Sequence, residues 1–404
     1  MESRPDRSTN TEKTNVVVIG GGYAGVLAAN RLTQRDDLTV TLINPRPTFV
    51  HRIRLHQLVA GSNDAVVDYR KVLAENIRLK VDTATRIDAS ERNVRLASGG
   101  PIGYDYLIYA VGSGSADPDV PGAAEFAYPI ASYDDAELLR SVIVTAPATA
   151  AVTVVGGGAT GIETAAELAE LGRTVTMVCG EVLGPYLHPR VRRLVAKRLA
   201  KLGVTVLDGP GARVTAVTRD TVQLGDGRSL PSMVTIWTAG FGVPDLARNS
   251  GLSTDAVGRL LTDETLTSVD DARIVAAGDS AAPSDLPLRM SCQAAGPLGA
   301  HAADTLLSRI AGEQPRPIKV GFFGQCISLG HRAAVVQFAS KDDTANRFYI
   351  GGRLAAMIKK RSFTGLVKVF ADEAHRPGSY KWLFKDDKRR KLLQARRNDM
   401  LSTR

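Results

Sequence analysis

The chain of 404 residues is 44% hydrophobic and 23% charged, and its formal net charge is +9. This share of apolar residues can offset chain entropy, so the composition excludes a mainly disordered protein, and the length suits about two or three domains. Uninterrupted apolar stretches fall short of the roughly 18 residues that a membrane-spanning helix needs.

The polar N-terminal residues 1–14 contain no apolar core. They predict a disordered lead-in rather than a secretion signal, and by default a cytoplasmic protein. The three cysteines, Cys179, Cys292 and Cys326, have neither CxxC nor metal-ligand spacing. We therefore expect free thiols in a reducing compartment and no metal site.

A β-branched run at residues 16–19 leads into a glycine-rich turn and then a helical pattern. The turn has the form GxGxxG, in which the first glycine permits the turn and the second lets backbone approach a phosphate. The third lets the helix pack on the strand, and the helix N-terminus faces a pyrophosphate. The predicted cofactor-binding residues here are Gly20, Gly22, Tyr23, Ala24 and Gly25.

The next predicted strand, residues 38–43, should end in an acid that binds the adenosine ribose of a dinucleotide. Asn44 stands there instead. Its amide can both accept and donate a hydrogen bond, so ribose binding survives without the negative charge. The alternative is that Asn44 only starts the Asn-Pro turn.

A second strand pattern, residues 152–155, precedes a second GxGxxG turn and helix. Its candidate residues are Gly156, Gly158, Thr160 and Gly161. Two complete fingerprints, each in its strand–turn–helix setting, predict two bound dinucleotides. The alternation of strands and helices around them predicts α/β architecture with parallel sheets.

On these motifs the chain resembles the flavoproteins of the pyridine nucleotide-disulfide oxidoreductase superfamily. The resemblance implies FAD on the first motif and NADH or NADPH as co-substrate on the second. It implies two nested Rossmann-like dinucleotide-binding domains plus a small C-terminal α+β domain. The predicted ranges are a lead-in at 1–14, an FAD domain at 15–115 and 245–318, an NAD(P)H domain at 116–244, a cap or interface domain at 319–380, and a basic amphipathic tail at 381–404.

Three further segments fit this resemblance. Residues 104–112 resemble the strand and turn that lead from the FAD domain into the NAD(P)H domain, and residues 235–240 resemble the returning segment. Residues 274–281 resemble the late FAD motif, whose aspartate hydrogen-bonds the ribityl chain. The cofactor-binding residues implied by these segments are Ala110, Gly112, Gly240, Gly278 and Asp279.

No Cys-x4-Cys pair follows the first motif. Disulfide reductase chemistry is therefore excluded, and sulfide:quinone chemistry at flavin-facing cysteines is disfavoured. Residues 48–61 and 290–297 are similar to the flavin-side and quinone-side segments of the type II NADH dehydrogenase branch. Pro297 and Cys292 depart from that second segment, which leaves the acceptor open. Gln293 and Ala294 are the implied flavin contacts, at a helix start that stabilises the reduced ring.

Glu163, just after the second motif, resembles the acid on the nicotinamide side. The alternative is a first-turn glutamate favoured by the helix dipole. No acid ends the strand at residues 174–178, and the nearby Arg190, Arg192 and Arg193 could meet a 2′-phosphate or line a solvated helix face. We favour NADH.

His51, Arg52, Arg54 and His56 form a cationic cluster where the family usually has apolar residues. They could bind an acidic or carbonyl-bearing acceptor, donate a proton, or tether FAD through a histidyl bond. The alternative is ordinary surface side chains. The predicted catalytic residues are Glu163, His51 and His56, with Arg52 at the cofactor. Cys292 and Cys326 could face the flavin or be small buried thiols.

Residues 320–380 predict short strands that cover the flavin, and then a helix from Gly352 with one apolar side. Residues 381–404 hold nine Lys or Arg and three Asp, so most of the net charge lies there. Leucines and aromatic residues among these cations predict an amphipathic segment on an anionic membrane, which would place the enzyme peripherally. The alternatives are a solvated tail or a homodimer contact.

We predict an FAD-dependent NAD(P)H dehydrogenase that passes a hydride to the flavin and then electrons to a quinone or quinone-like acceptor. One alternative is a soluble flavoenzyme that acts on a specific small molecule, with His51 and His56 on its acceptor face. Another is a redox-regulated binding protein similar to apoptosis-inducing factor. Only the charge of the tail supports this last hypothesis. The sequence shows no surface of combined aromatic and basic residues for nucleic acid, so we do not expect nucleic acid as a partner.

Overall fold

The computed structural model describes residues 13–402. Of the predicted lead-in at residues 1–14, residues 1–12 lie outside the described residues, and Thr14 already begins the first strand. The strands are β1 Thr14–Ile19, β2 Leu38–Asn44, β3 Thr48–Val50, β4 Val66–Asp68, β5 Arg78–Val81, β6 Ala84–Asp88, β7 Asn93–Leu96, β8 Pro101–Gly103, β9 Tyr106–Tyr109, β10 Gly114–Ser115, β11 Ala127–Pro129, β12 Ala151–Val155, β13 Thr174–Val178, β14 Thr205–Leu207, β15 Val214–Val217, β16 Thr221–Leu224, β17 Ser229–Pro231, β18 Val234–Trp237, β19 Phe241–Gly242, β20 Leu260–Thr262, β21 Ile274–Ala276, β22 Ala281–Pro283, β23 Gly324–Ser328, β24 Ala334–Ala339 and β25 Ala345–Gly351. The helices are α1 Tyr23–Leu32, α2 Leu55–Val59, α3 Ala123–Phe126, α4 Tyr133–Thr145, α5 Ala159–Glu170, α6 Pro189–Lys201, α7 Leu246–Asn249, α8 Cys292–Ile310, α9 Gly352–His375 and α10 Arg389–Ser402.

The first sheet is parallel and has the strand order β21-β9-β1-β2-β5. Its central strand β1 is buried on both faces, with Val16, Val17 and Val18 at most 1% exposed. Such a strand needs a continuous β-branched run, which is the pattern in the sequence. Helices α1 and α8 pack against each other beside this sheet. The carboxyl ends of the strands meet at one edge, where open α/β sheets bind their ligands.

The second sheet repeats this plan with the order β11-β18-β12-β13-β14. Strand β12 holds the place of β1, and a glycine turn and helix α5 follow it. All strands of this sheet lie in sequence between β9 and β21 of the first. The prediction of α/β architecture with nested Rossmann-like domains is confirmed.

The two chain segments that join these sheets lie side by side. Strands β10 and β19 pair antiparallel, with Gly114 opposite Gly242 and Ser115 opposite Phe241. The chain thus leaves the first sheet and returns to it through one short ribbon. The predicted domain limits near residues 115 and 244 fall close to it.

The C-terminal region contains an antiparallel sheet, β23-β24-β25, with helix α9 packed against both this sheet and α1. Arg31 of α1 ties α9 to the first domain, because its guanidinium lies 3.1 Å from Glu373 on α9 and 2.6 Å from Asp304 on α8. Glu373 is fully buried. This ion-paired junction fixes where the long helix lies relative to the first sheet.

The start of the predicted tail differs from the expected free segment. The Trp382 indole donates to the Gly321 carbonyl at 2.9 Å and packs against Phe323 and Phe384. Arg389 is buried and forms two 2.8 Å hydrogen bonds to Glu264. Trp382 and Arg389 therefore attach this stretch to the packed body, while most of the side chains between them are exposed. Among residues 13–402, no helix combines the length and apolar character that crossing a membrane requires.

Candidate functional site

The outer glycines of both turns are required by the packing of the protein itself. Gly20 has a φ of +102°, and a Cβ there would lie 2.3 Å from the Ala110 carbonyl oxygen. A Cβ on Gly25 would lie 1.8 Å from the Gly20 oxygen. In the second turn Gly156 has a φ of +123°, and a Cβ on Gly161 would lie 2.1 Å from the Gly156 oxygen. These four positions therefore exclude any larger residue.

The middle glycines, Gly22 and Gly158, are different. Each is the N-cap of the following helix and has extended backbone, with φ of −82° and −78°, which any residue adopts. A Cβ at either position meets no protein atom within 4 Å. The protein itself thus has no need of glycine there. A pyrophosphate approaching the backbone at the helix N-terminus does need it, so both turns fit a dinucleotide.

Two side chains from other segments of the chain form hydrogen bonds to the backbone of the first glycine turn. Asn44 Oδ1 accepts from the Gly21 amide at 2.9 Å, and its Nδ2 donates to the Arg46 carbonyl. The Tyr69 hydroxyl donates to the Gly21 carbonyl at 2.8 Å. The bond of Asn44 to Arg46 is the Asn-Pro turn contact that the sequence offered as an alternative, whereas its bond to Gly21 was not expected, and ribose binding by Asn44 stays a prediction. Tyr69 was not predicted, because no sequence motif marks it.

Asp279 is the meeting point of four segments at the edge of the first sheet. Its carboxylate accepts from the Ser291 amide at 3.0 Å and from the Ser113 hydroxyl at 2.7 Å. The Arg52 guanidinium donates to Ser113 and lies 3.9 Å from Asp279. Ser113 directly follows segment 104–112 and Ser291 lies within segment 290–297, both identified in the sequence, but neither serine was predicted as a site residue. The carboxylate is thereby oriented beside the first turn.

The late motif also packs directly on the first helix, since a Cβ on Gly278 would lie 2.9 Å from that of Ala24. Helix α8 begins beside Asp279, and its Ser291 cap accepts from the Ala294 amide. The Gln293 side chain joins this helix to the C-terminal region by hydrogen bonds to Gly324 and Phe323. Its amide side chain is thus engaged by the protein, while its position at the helix start matches the prediction.

Ala110 and Gly112 lie on the turn after β9, and Gly112 has a φ of +72°.

The residues assigned to the second dinucleotide lie at the edge of the second sheet. Thr160 is the second residue of α5, and Gly240 follows β18 with a φ of +80°. Arg190 and Arg193 are exposed on α6, whereas Arg192 is half-buried and donates to the Leu187 carbonyl. The helix-face alternative for these arginines agrees with that arrangement.

The prediction of a cationic cluster is wrong for its two histidines. His51 and His56 are 2% and 4% exposed, and burial lowers the pKa of each to about 4. His51 uses both ring nitrogens, toward the Tyr23 hydroxyl at 2.8 Å and the Phe363 carbonyl at 3.1 Å. Both rings are therefore neutral at physiological pH.

We expect this burial to make stability depend on pH. A histidine whose pKa is about 4 when folded and near 6.5 when unfolded binds more protons in the unfolded state between those values. The wild type should therefore lose stability relative to His51→Gln as the pH falls from 6.5 to 4, by at most about 1.4 kcal/mol per pH unit. Urea denaturation of both proteins across this range measures the difference. A difference that is constant with pH would contradict it.

The two thiols near the start of α8 and on β23 are Cys292 and Cys326. Burial raises the pKa of both, to about 11 for Cys326. They are thus protonated at neutral pH, as expected for small buried thiols rather than nucleophiles. Both side chains are half-buried, and whether they face the flavin stays a prediction.

A buried ion pair joins the second domain to the C-terminal region. Glu163 on α5 lies 2.8 Å from the Lys359 ammonium on α9, and it also accepts from the Ser328 amide. Burial disfavours both charges, yet each partner stabilises the other, so the pKa of Glu163 is lowered and that of Lys359 raised. His56 Nδ1 lies 3.6 Å from the same carboxylate. Lys359 was missed, because the sequence shows it only as one of several lysines on a helix.

Comparison with known proteins agrees with this architecture. The pyridine nucleotide-disulphide oxidoreductase family matches residues 14–303. The chain is 29% identical over 352 residues to an NADH dehydrogenase-like protein of Mycobacterium tuberculosis, covering 80% of this chain and 87% of that protein. It is also 29% identical over 345 residues to a type II NADH:quinone oxidoreductase of the same species, covering 74% and 73%.

Among solved structures, the sulfide:quinone oxidoreductase of Aquifex aeolicus has a similar fold. The TM-score is 0.75 and the sequences are 20% identical. The superposition covers 89% of this chain and 92% of that chain. At this identity the similarity shows the fold alone. The family match covers more than half of the sequence and includes both glycine turns. The chain therefore belongs to the pyridine nucleotide-disulphide oxidoreductase family, as an oxidoreductase that depends on FAD and NAD(P)H.

Proposed function

We propose that the protein oxidises NADH through FAD and delivers the electrons to a quinone. The observation that carries the acceptor side is the buried Lys359 ammonium, where the C-terminal region meets the second domain. It pairs with Glu163, the residue that the sequence assigned to the nicotinamide side, so the pair lies between the two substrates. Lys359 points inward from a helix whose neighbouring residues Met357 and Ile358 are 57% and 37% exposed. One helix thus joins an exposed apolar surface to a buried proton-bearing group. This suits an apolar acceptor that takes up protons as it is reduced.

The residues present fit the two cofactors at separate places. The turn around Gly22 and the start of α1 would hold the FAD pyrophosphate, with Asp279, Ser113 and Arg52 beside its ribityl chain. The turn around Gly158 and the start of α5 would hold NADH. Bound FAD supplies the two-electron redox chemistry.

The protein's own part in the reaction is orientation and proton supply. Lys359 carries protons next to Glu163, whose charge keeps the ammonium protonated. A protonated group facing the acceptor stabilises the negative charge that develops on a quinone oxygen during reduction. Neutral His56 lies 3.6 Å from the same carboxylate and adds no charge to the pair.

Steady-state oxidation of NADH and NADPH with menadione, ferricyanide and oxygen as acceptors tests this function. We expect the highest kcat/KM for NADH with menadione. Flavin that neither nucleotide reduces would contradict the proposal as a whole. Reduction of the flavin without transfer to menadione would instead favour a specific small-molecule substrate.

We further propose that the enzyme contacts an anionic membrane through an apolar face on α9 and β25, rather than through the tail. Phe348, Leu354 and Met357 are each more than half exposed there, and cations flank them. A surface of this composition binds the interface of anionic bilayers. Flotation with anionic vesicles should fall sharply for Leu354→Ser/Met357→Ser. If deletion of residues 391–404 abolished flotation and the double substitution had no effect, the tail would be the membrane contact instead.

A further inference from the structure

The interface between α2 and α5 contains an unusual concentration of unsatisfied polar atoms. Eight buried side-chain atoms of the described residues have no hydrogen-bond partner. Three of them belong to this one interface: His56 Nε2 and Gln57 Oε1 on α2, and Glu167 Oε1 on α5. Buried polar groups in native proteins are otherwise almost all paired, and exceptions tend to have a functional reason.

Titratable groups line this interface in series from the surface inward. His331, on the turn between β23 and β24, has a side chain that is 45% exposed, and its Nε2 lies 3.4 Å from Glu167 Oε2. Glu167 is 1% exposed. Glu163 lies one helical turn before it on the same face of α5, in contact with His56 and Lys359. The series therefore begins at solvent and ends at the acceptor side.

Glu167 is the member of the series without a fixed cation. Lys359 pairs with Glu163, and Arg198 pairs with Glu170 at 2.9 Å. Ser62 lies 3.5 Å from Glu167 Oε2. A buried carboxylate left without a cation is costly, so its presence points to a function rather than to stability.

The surroundings of Glu167 also place its titration in the neutral range. Burial, together with the charges of Glu170 and Glu163, raises its pKa to about 7, although His331 acts in the opposite direction. From the α2 side the uncharged Ser62 hydroxyl reaches it, while His56 of α2 is neutral and lies against Glu163 instead. A carboxyl group that titrates near neutral pH can both take up and release a proton there.

The proposed reaction needs one proton from water in each turnover. NADH loses a hydride, which is two electrons and one proton. Reduction of a quinone to a quinol consumes two electrons and two protons. The second proton must enter from solvent and reach a site that the protein shields.

We propose that His331 and Glu167 form the entrance of a path that carries this proton through the α2–α5 interface to the Glu163–Lys359 pair. The inference rests on the proposed quinone reduction. Glu167 acts as a proton carrier here and does not touch the substrate.

Half-reaction kinetics of the holoenzyme separate this role from the rest of the cycle. In Glu167→Gln and His331→Gln, anaerobic reduction of the flavin by NADH should keep the wild-type rate, since hydride transfer needs no solvent proton. Reoxidation by menadione should slow about tenfold, with a larger solvent deuterium isotope effect. Glu313→Gln is the control, because it removes an exposed carboxylate that has no contact with the series. It should leave both rates unchanged.

Infrared pH-difference spectroscopy gives a readout that is independent of turnover. The wild type should show the carbonyl band of a buried carboxylic acid that titrates near pH 7, and Glu167→Gln should lack it. Unchanged reoxidation in both variants, or an equal fall of both half-reactions, would overturn the path. A wild type that NADH reduces but menadione does not reoxidise would refute the quinone function instead. Absence of the infrared band in the wild type would refute the assigned titration of Glu167.

Discussion

The variant Gly22→Val is expected to fold normally and to purify without bound flavin. The backbone at Gly22 is extended, and no protein atom lies within 4 Å of an added Cβ, so the fold accepts the side chain. The valine would instead occupy the space that the cofactor's pyrophosphate needs at the start of α1. We expect FAD affinity to fall by at least about two orders of magnitude, which corresponds to roughly 2.7 kcal/mol. Flavin absorbance and circular dichroism of the purified variant measure the two effects separately.

Gly158→Val provides the matched control at the corresponding position of the second turn. Its N-cap geometry and open surroundings are the same. This variant should keep its flavin and lose reduction by NADH. Flavin loss in Gly158→Val, or retention in Gly22→Val, would contradict the assignment of the two turns.

The second large effect is expected for Lys359→Met. The substitution removes the cation 2.8 Å from the buried Glu163 carboxylate and leaves that charge uncompensated. Loss of one partner of a buried pair costs about 3–5 kcal/mol of stability. Lys359 also holds the pKa of His56 down, so without it His56 should protonate more readily and partly replace the lost charge at acid pH. The loss in the free energy of unfolding should therefore be larger at pH 8 than at pH 5.

The double variant Glu163→Gln/Lys359→Met separates charge from packing. It removes both charges at once, so most of the lost stability should return. Urea denaturation of the wild type and the variants at both pH values checks this. A double variant as unstable as Lys359→Met alone would show that packing, rather than the ion pair, accounts for the loss.

The parts of the site that depend on backbone geometry were predictable from the sequence. Gly20 and Gly25 are fixed by close backbone contacts, and such constraints leave a regular local pattern. Asp279 was identified differently, through the resemblance of residues 274–281 to the family's late FAD motif. The resemblance to a known family added the cofactors and the nesting of the two domains.

The parts that depend on long-range packing were not predictable. His51 and His56 look like surface cations in sequence, but α5 and α9 bury them and keep them neutral. Lys359 meets Glu163 across almost two hundred residues, and Arg389 meets Glu264 across more than a hundred. No local pattern encodes such pairs. For the same reason the sequence did not show that Trp382 and Arg389, at the start of the basic tail, bond to Gly321 and Glu264.

The central claim is that this chain carries electrons from NADH through one bound flavin to a quinone. An anaerobic titration of the holoenzyme tests it most directly, with flavin absorbance followed during addition of NADH and then of menadione. We predict that one equivalent of NADH bleaches the flavin fully and that one equivalent of menadione restores it, with quinol as the product. A flavin that NADH leaves oxidised, or one that menadione cannot restore, would contradict the account.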